Sequence, residues 1–307
     1  MRELVVISGK GGTGKTSLVA SLGVLAEKVV TADCDVDAAD LHLVLQPTAR
    51  RREPFSGGSA ATIRSENCVA CGECEKVCRF DAISGDGPAN GRVSRTFRVD
   101  PVTCEGCGVC VQVCQHEAID FAPVVNGEWF VSDTRCGPMV HARLYPGAEN
   151  SGKLVSLVRN EARRIASERQ FKWVLIDGSP GIGCPVIASL TGADFALIVA
   201  EPTLSGLHDL ERIADLTAHF NIETFLAANK WDVNSRNCGH VEELAADRGI
   251  QCVGRIRYDL AVTEAQVQGL SVVEHTNNGA ASDVRDIWDR LAKRLHQDKV
   301  RKHLTVL

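Results

Sequence analysis

Short apolar runs alternate with longer amphipathic stretches along most of the chain. Each run is four or five residues long and carries no charge, which is typical of a strand buried on both faces of a parallel sheet. The stretches between the runs, such as residues 15–28 and 152–169, have the length of helices. The alternation predicts an α/β fold with a doubly wound, mostly parallel sheet. The predicted strands are Leu4–Ile7, Val29–Ala32, Trp173–Ile176, Ala196–Val199 and Thr224–Ala228.

A different kind of sequence interrupts this alternation between the second and third predicted strands. Residues 48–60 carry three arginines, Pro54 and two glycines, which predicts a linker. Further on, Asn126-Gly127 stands between β-prone runs and predicts a hairpin turn. We therefore expect an α/β domain that is split by an insert. The first part is placed at residues 1–58, the insert at residues 59–122 and the second part at residues 123–307.

The predicted insert contains two copies of one cysteine spacing, C-x2-C-x2-C-x3-C, which together use eight of the thirteen cysteines. Bacterial ferredoxins with two [4Fe–4S] clusters have this spacing, and the fourth cysteine of each run ligates the other cluster. Zinc is the alternative, but zinc sites leave longer gaps between pairs of ligands. We expect one cluster on Cys68, Cys71, Cys74 and Cys114, and the other on Cys104, Cys107, Cys110 and Cys78.

A glycine-rich loop lies between the first predicted strand and the first predicted helix. Residues 9–16 match G-x-x-x-x-G-K-[ST], the phosphate-binding loop, whose backbone N–H groups surround phosphate oxygens. An ordinary glycine turn is the alternative. In the favoured interpretation Lys15 reaches the β- and γ-phosphates and Thr16 ligates Mg²⁺. The predicted nucleotide-binding residues of this loop are Gly11, Gly12, Thr13, Gly14, Lys15, Thr16 and Ser17.

Acidic and amide residues follow three of the predicted strands. Asp33-Cys34-Asp35 closes the second strand, and Asp177 ends a buried strand as in a Walker B motif, where it would hold Mg²⁺ through water. The glycine-rich segment 178–181 follows as a second switch. Asn229-Lys230-Trp231-Asp232 comes after a later strand.

With Lys10 directly after the first glycine of the loop, this constellation resembles the MinD/ParA superfamily of deviant Walker A P-loop ATPases. That group includes the nitrogenase iron protein and Mrp-type cluster carriers, and the cysteine runs resemble members with an inserted two-cluster ferredoxin domain. The resemblance covers nearly all of residues 1–47 and 150–275. It implies that Lys10 crosses a dimer interface to touch the nucleotide of the partner, in a homodimer or a heterodimer with a related ATPase. A solvated lysine is the alternative.

The resemblance also implies roles for individual side chains. Asp35 would orient the attacking water and Asp33 would lie near Mg²⁺, so that Lys10, Lys15 and Asp35 are the expected catalytic residues. Asn229 would read adenine. The same motif, N-K-x-D, also binds guanine in GTPases. The deviant Walker A loop is the feature that favours ATP.

Two further features concern a possible additional cluster and the C-terminal stretch. Cys184 stands at the offset of a cluster-binding cysteine in the nitrogenase iron protein, with Cys136 as its one candidate partner, but buried structural thiols are the favoured interpretation of both. The C-terminal stretch places Ile287, Trp288, Leu291 and Leu295 at helical spacing. We expect this stripe to pack on the sheet rather than bind a membrane.

The expected function is Mg²⁺-dependent ATP hydrolysis that gates electron transfer from the two clusters to a redox partner protein. The alternative is a scaffold or carrier that hands clusters to an accepting protein, or a MinD/ParA-like positioning ATPase with a structural or sensory insert. The net charge of −5 argues weakly against a nucleic-acid partner. Since no signal peptide or membrane-spanning run stands out, we expect a cytoplasmic protein without a membrane partner.

Overall fold

The computed structural model describes residues 1–146, 148 and 151–304, the last ten of these by their backbone alone. The chain divides into two compact units. The first, here called the sheet unit, comprises residues 1–53, 129–143 and the chain from 151 onward. The second, the cysteine unit, comprises residues 54–128 and 144–150.

The elements alternate along the sheet unit much as the hydrophobic pattern predicts. The strands of the whole described chain are β1 (Arg2–Ile7), β2 (Val29–Asp33), β3 (Thr48–Phe55), β4 (Gly58–Ile63), β5 (Ile83–Gly87), β6 (Thr96–Val99), β7 (Ile119–Val124), β8 (Gly127–Thr134), β9 (Gly137–Leu144), β10 (Trp173–Asp177), β11 (Phe195–Ala200), β12 (Glu223–Asn229) and β13 (Gln251–Ile256). The helices are α1 (Lys15–Leu25), α2 (Leu41–Leu45), α3 (Glu73–Val77), α4 (Val109–Val113), α5 (Ser151–Glu168), α6 (Cys184–Leu190), α7 (Leu204–His219), α8 (Ser235–Asp247), α9 (Leu260–Val267), α10 (Val272–His275) and α11 (Ala280–Leu304).

The sheet has the order β13-β12-β11-β1-β10-β2-β9-β8-β3 within the described residues. From β13 to β9 every adjacent pair is parallel. Every residue of β2, β10 and β11 is buried, because helices cover both faces of the sheet. The predicted α/β fold with a mostly parallel sheet is therefore confirmed.

Two local predictions around the insert are wrong. Residues 48–60 do not form a linker: β3 is an edge strand beside β8, and β4 pairs antiparallel with β7. Asn126-Gly127 does not join a hairpin, because β7 and β8 belong to different sheets. Asn126 instead accepts a hydrogen bond from the Gly57 amide through its side chain, and its own N–H donates to the carbonyl of Phe55.

The C-terminal helix packs on the core of the sheet unit as expected. Ile287 and Leu291 are fully buried, and the indole of Trp288 meets that of Trp173 edge-on at 6.2 Å between ring centroids. Leu295, also named in the predicted stripe, lies outside the described side chains. In the part of the chain that the structure describes, no helix is both long and apolar enough to cross a membrane.

The cysteine unit repeats its backbone as well as its sequence. Short helices α3 and α4 each begin after a left-handed glycine, Gly72 with φ 79° and Gly108 with φ 74°. Asp81 and Glu117, at matching places after the fourth cysteine of each run, are left-handed too, with φ 52° and 48°. The strand pairs β4–β7 and β5–β6 complete the unit.

Candidate functional site

The glycine loop turns from β1 into α1 at the carboxyl edge of the parallel sheet. Gly12 and Gly14 have φ of 78° and 87°, a left-handed backbone that favours glycine. A β-carbon on Gly14 would also come within 2.4 Å of the Asn229 side-chain nitrogen. The loop therefore needs glycine at this position for both conformation and space.

Lys15, the first residue of α1, is held by two carboxylates. Its ammonium donates to Asp177 Oδ1 at 2.7 Å and lies 3.4 Å from Asp35 Oδ2. Burial opposes the charged form of this lysine, which is 5% exposed, but the neighbouring Asp177, Asp35 and Asp33 outweigh it and raise the pKa of Lys15. The lysine is thus a fixed positive charge at the start of the helix.

The three carboxylates lie together because their strands end side by side. Asp33 and Asp177 are direct neighbours in the β2–β10 register. Asp33 is fully buried and accepts hydrogen bonds from the N–H groups of Asp35 and Leu41, at 3.1 and 3.2 Å, so it also shapes the loop after β2. Burial, reinforced by the charge of Asp177, raises the pKa of Asp33, and burial likewise raises the pKa of Asp35.

This cluster offers carboxylate oxygens, the ligand type that a magnesium ion prefers, but within the described residues its carboxylates do not form a group of three ligands around one metal position. Two carboxylates pair with one ammonium group, and Asp177 Oδ2 is buried without a hydrogen-bond partner among the described residues. Thr16 lines the same cavity of about 650 Å³ as Asp35 and the glycine loop. Asp33 and Asp177 are not among the residues that line this cavity. Asp177 and Thr16 each offer oxygen atoms of the kind that a hard divalent cation takes as ligands.

Asn229 supports the glycine loop, a role that the motif alone did not reveal. Its side-chain nitrogen donates to the carbonyl of Thr13 at 2.6 Å, and its side-chain oxygen accepts from the N–H of Lys230. Asn229 also lines the cavity beside Tyr258. That Asn229 reads adenine stays a prediction.

Lys10 and Lys230 form contacts that sequence reasoning missed. Lys230 donates to the carbonyl of Gly12 at 3.2 Å and to Glu201 at 2.5 Å. Lys10 lies 3.4 Å from the same Glu201 carboxylate, and its ammonium donates to Ser205 Oγ at 3.1 Å. The position of Lys230 beside Asn229 in the N-K-x-D motif could have indicated a role for Lys230, whereas no sequence motif indicates one for Glu201.

Hydrogen bonds join the segment after β10 to the other two loops. The N–H of Gly181 donates to the carbonyl of Ser8 at 2.9 Å, and Ser179 Oγ donates to the carbonyl of Cys34 at 2.6 Å. The loops after β1, β2 and β10 are therefore linked directly by hydrogen bonds.

The cysteine unit contains two small cavities, each lined by four of the predicted cluster cysteines. In both, three cysteines come from one run and the fourth comes from the other run. The first cavity is lined by Cys68, Cys71, Cys74 and Cys114, and the second by Cys104, Cys107, Cys110 and Cys78.

These cavities fit the crossed ligand sets that the spacing predicts. Within the described ranges, no three or more His, Cys, Asp or Glu side chains form a group that could hold a metal ion. A four-iron cluster is larger than one ion and spreads its four thiolates more widely, so it is the cavities that bear on the cluster prediction. Cluster binding itself stays a prediction.

The remaining cysteines divide by exposure. Cys136 is partly buried against the core of the sheet unit, and burial raises the pKa of its thiol. Cys34 and Cys238 are buried. Cys184 is exposed at the start of α6, so its interpretation as a buried thiol is wrong.

A parallel sheet with a glycine loop, a loop lysine and strand-end carboxylates at its carboxyl edge defines a P-loop nucleotide-binding protein. A family model described as the CobQ/CobB/MinD/ParA nucleotide binding domain matches residues 4–272. The chain therefore belongs to the CobQ/CobB/MinD/ParA family of P-loop ATPases.

Individual proteins agree with this assignment. An uncharacterized protein of Methanocaldococcus jannaschii, MJ0578, is 36% identical over 239 residues, which cover 76% of this chain and 80% of that protein. The septum site-determining protein MinD of Bacillus subtilis is 23% identical over 299 residues, covering 94% and 88%. The structure of MinD from Pyrococcus horikoshii complexed with Mg-ADP superimposes with a TM-score of 0.59 at 15% identity, covering 96% and 97%. The fold of the chain is thus MinD-like.

Proposed function

We propose that this chain is a Mg²⁺-dependent ATPase of the MinD/ParA type that switches between nucleotide states and carries two [4Fe–4S] clusters in its cysteine unit. The observation that carries the ATPase part is Lys15 placed between Asp177 and Asp35 at the glycine loop. Adenine is favoured over guanine because solved relatives of this fold are complexes with Mg-ADP and with ATP.

In the proposed reaction, water attacks the γ-phosphorus as the bond to the β-phosphate oxygen breaks. Phosphate oxygens compete with Asp35 and Asp177 for the Lys15 ammonium, and the loop N–H groups bind the remaining phosphate oxygens. Asp35, released from Lys15, orients the attacking water. Thr16 and Asp177, with Asp33 near them, would hold Mg²⁺, whose chemistry there is to neutralise phosphate charge.

The test is turnover with nucleotide binding measured separately. Asp35→Ala is expected to bind ATP and to hydrolyse it on the order of 100-fold more slowly, because the water loses its orientation. Asp37→Ala, an exposed carboxylate on the same loop, is the matched control and should retain wild-type turnover. Wild-type turnover in Asp35→Ala would contradict the assignment and make Asp40, which lines the same cavity, the next candidate.

For the cysteine unit, the crossed lining of the two cavities supports two clusters. Such clusters accept and release single electrons. Anaerobically purified protein is expected to contain about eight iron atoms per chain. Four or fewer irons, or stoichiometric zinc, would contradict this part of the proposal.

The named relatives favour a MinD/ParA-like positioning ATPase over an electron-transfer protein, which leaves the clusters a structural or sensory role. They include MinD proteins and a ParA family ATPase, and an Aquifex aeolicus MinD was solved as a complex with MinC. By this similarity we propose a second copy of the chain, or a related ATPase, and a further protein as partners. A positioning ATPase is the form of the function that these similarities support best, and the cluster-bearing unit is argued from the two cysteine cavities alone.

Electron transfer to a protein partner is the second candidate, supported by the exposure of Cys71 and Cys107, one at each cavity. Reduction potentials measured without nucleotide, with ADP and with a non-hydrolysable ATP analogue separate the two roles. Nucleotide-gated transfer predicts shifts worth about 1–3 kcal/mol, and cluster reduction must change nucleotide affinity by the same factor. Three equal potentials would favour the structural role.

A further inference from the structure

Glu201, the residue after β11, lies between two lysines of the nucleotide site. Its Oε1 accepts from Lys230 Nζ at 2.5 Å, and its Oε2 lies 3.4 Å from Lys10 Nζ. The Glu201 side chain is 12% exposed, whereas that of Lys10 is 36% exposed. One largely buried carboxylate therefore holds two ammonium groups.

The first of these lysines connects Glu201 to the glycine loop. Lys230 also donates to the carbonyl of Gly12, and its own backbone has φ 56°, a conformation that residues other than glycine rarely adopt. Glu201 thus helps to fix a lysine that is already constrained at both its backbone and its ammonium group. Glu201 is therefore connected through Lys230 to the loop that would bind phosphate.

The second lysine, Lys10, has further contacts at the start of α7. Besides Glu201, the Lys10 ammonium donates to Ser205 Oγ at 3.1 Å and to Thr203 Oγ1 at 3.5 Å, both at the start of α7. A lysine that is to reach the nucleotide of a second copy must first leave these three groups. Since the pair with Glu201 is partly exposed, this departure has a small cost.

We propose that Glu201 is a positioning residue that keeps Lys10 on its own chain until a second, nucleotide-loaded copy takes it, and keeps Lys230 on the glycine loop meanwhile. The second copy as acceptor rests on the proposed ATPase function. The hold on Lys10 is a property of the single chain and can be measured without a partner.

The first experiment measures the hold in the full-length chain without nucleotide. Lysines are acetylated with an N-hydroxysuccinimide ester, and rates are read by peptide mass spectrometry relative to the exposed Lys28. Glu201→Gln is expected to raise the labelling rates of Lys10 and Lys230 by about two- to five-fold, the factor that corresponds to a partly exposed ion pair.

Two further variants make this result specific. Ser205→Ala should raise the rate at Lys10 alone, which keeps the proposal testable if Glu201→Gln folds poorly. Glu243→Gln, an exposed carboxylate on α8, removes the same charge and should change neither rate. An unchanged Lys10 rate in both Glu201→Gln and Ser205→Ala would overturn the proposal.

The second experiment measures self-association by sedimentation at a saturating concentration of a non-hydrolysable ATP analogue. Glu201→Gln is expected to lower the dimer dissociation constant by the same two- to five-fold factor, about the free-energy equivalent of the lost pair. If Lys10 is labelled faster but the dimer dissociation constant is unchanged, the proposed release of Lys10 from Glu201 on dimerisation is wrong. If wild-type protein stays monomeric with the analogue, the dimer of the proposed function fails, and the labelling result still decides whether Glu201 holds Lys10.

Discussion

Replacing Lys15 by methionine tests whether one ammonium group holds the carboxylate cluster together. The Lys15 ammonium lies 2.7 Å from Asp177 and 3.4 Å from Asp35. With an effective dielectric constant of about 20, these separations correspond to gross attractions of about 6 and 5 kcal/mol. Desolvation offsets much of this, and breaking a buried pair by removing one partner typically costs about 3–5 kcal/mol. We expect Lys15→Met to lower the free energy of unfolding by that amount at pH 7.5.

The pH dependence of this loss has a definite sign. Burial already raises the pKa of Asp33 and of Asp35 above the ordinary value of 3.8. Removing Lys15 raises both pKa values further. A carboxyl group with a raised pKa binds more protons in the folded state than in the unfolded state. The stability that it contributes is therefore present below pH of about 4 and is lost as the pH rises through the pKa of the folded state. The deficit of Lys15→Met should therefore be smaller at pH 5 than at pH 7.5.

The assay is urea unfolding of nucleotide-free protein, followed by tryptophan fluorescence at the two pH values. Trp173 and Trp288 report on the core of the sheet unit. Lys28→Met removes an exposed lysine and serves as the control. Adding Asp177→Asn to Lys15→Met should restore more than half of the loss, because it removes an unpaired buried charge. A Lys15→Met protein as stable as wild type at pH 7.5, or a deficit equal at both pH values, would refute this reasoning.

Further predictions concern the glycine loop and the cysteine cavities. Gly14→Ala should weaken ADP binding, measured by calorimetry, by at least about tenfold, because alanine is strained at φ 87° and its β-carbon would meet Asn229. Gly11→Ala, with open space around the new methyl group, should lose less ADP affinity. Cys78→Ser should remove about four iron atoms and the electron paramagnetic resonance signal of one cluster, that of the second cavity. Cys238→Ser, which alters a buried thiol of the sheet unit, should keep all the iron.

The strands and the strand-end carboxylates were predictable because local sequence encodes them. Asp33 and Asp177 each follow a short apolar run, and such runs are what a strand buried on both faces requires. Once the strands are parallel, their carboxyl ends share one edge, which brings the two aspartates to the glycine loop. The ion pair between Lys15 and Asp177 follows from that topology.

Elements with weak local signals were missed. Residues 48–52 of β3 are exposed, so the strand shows no alternation of apolar and polar residues and resembles a linker. Asn126-Gly127 is a sequence that favours a hairpin turn, but β7 pairs with β4 and not with the strand that follows it. Glu201 joins Lys10 and Lys230 from distant parts of the chain, and no spacing in the sequence encodes that contact.

Lys15 and Lys10 of the glycine loop are held with unequal strength. In the proposed switch this difference separates nucleotide binding, which involves Lys15, from dimerisation, which involves Lys10. Lys15 is buried between carboxylates, so it leaves them only for a group of comparable negative charge, such as the phosphates of a nucleotide. Lys10 is held by a partly exposed pair worth no more than about 1 kcal/mol. A ligand shifts an equilibrium only by its differential affinity for the two states. Nucleotide binding therefore has to satisfy Lys15 within one chain, whereas a second copy needs to offer Lys10 only a small advantage, which keeps its capture reversible.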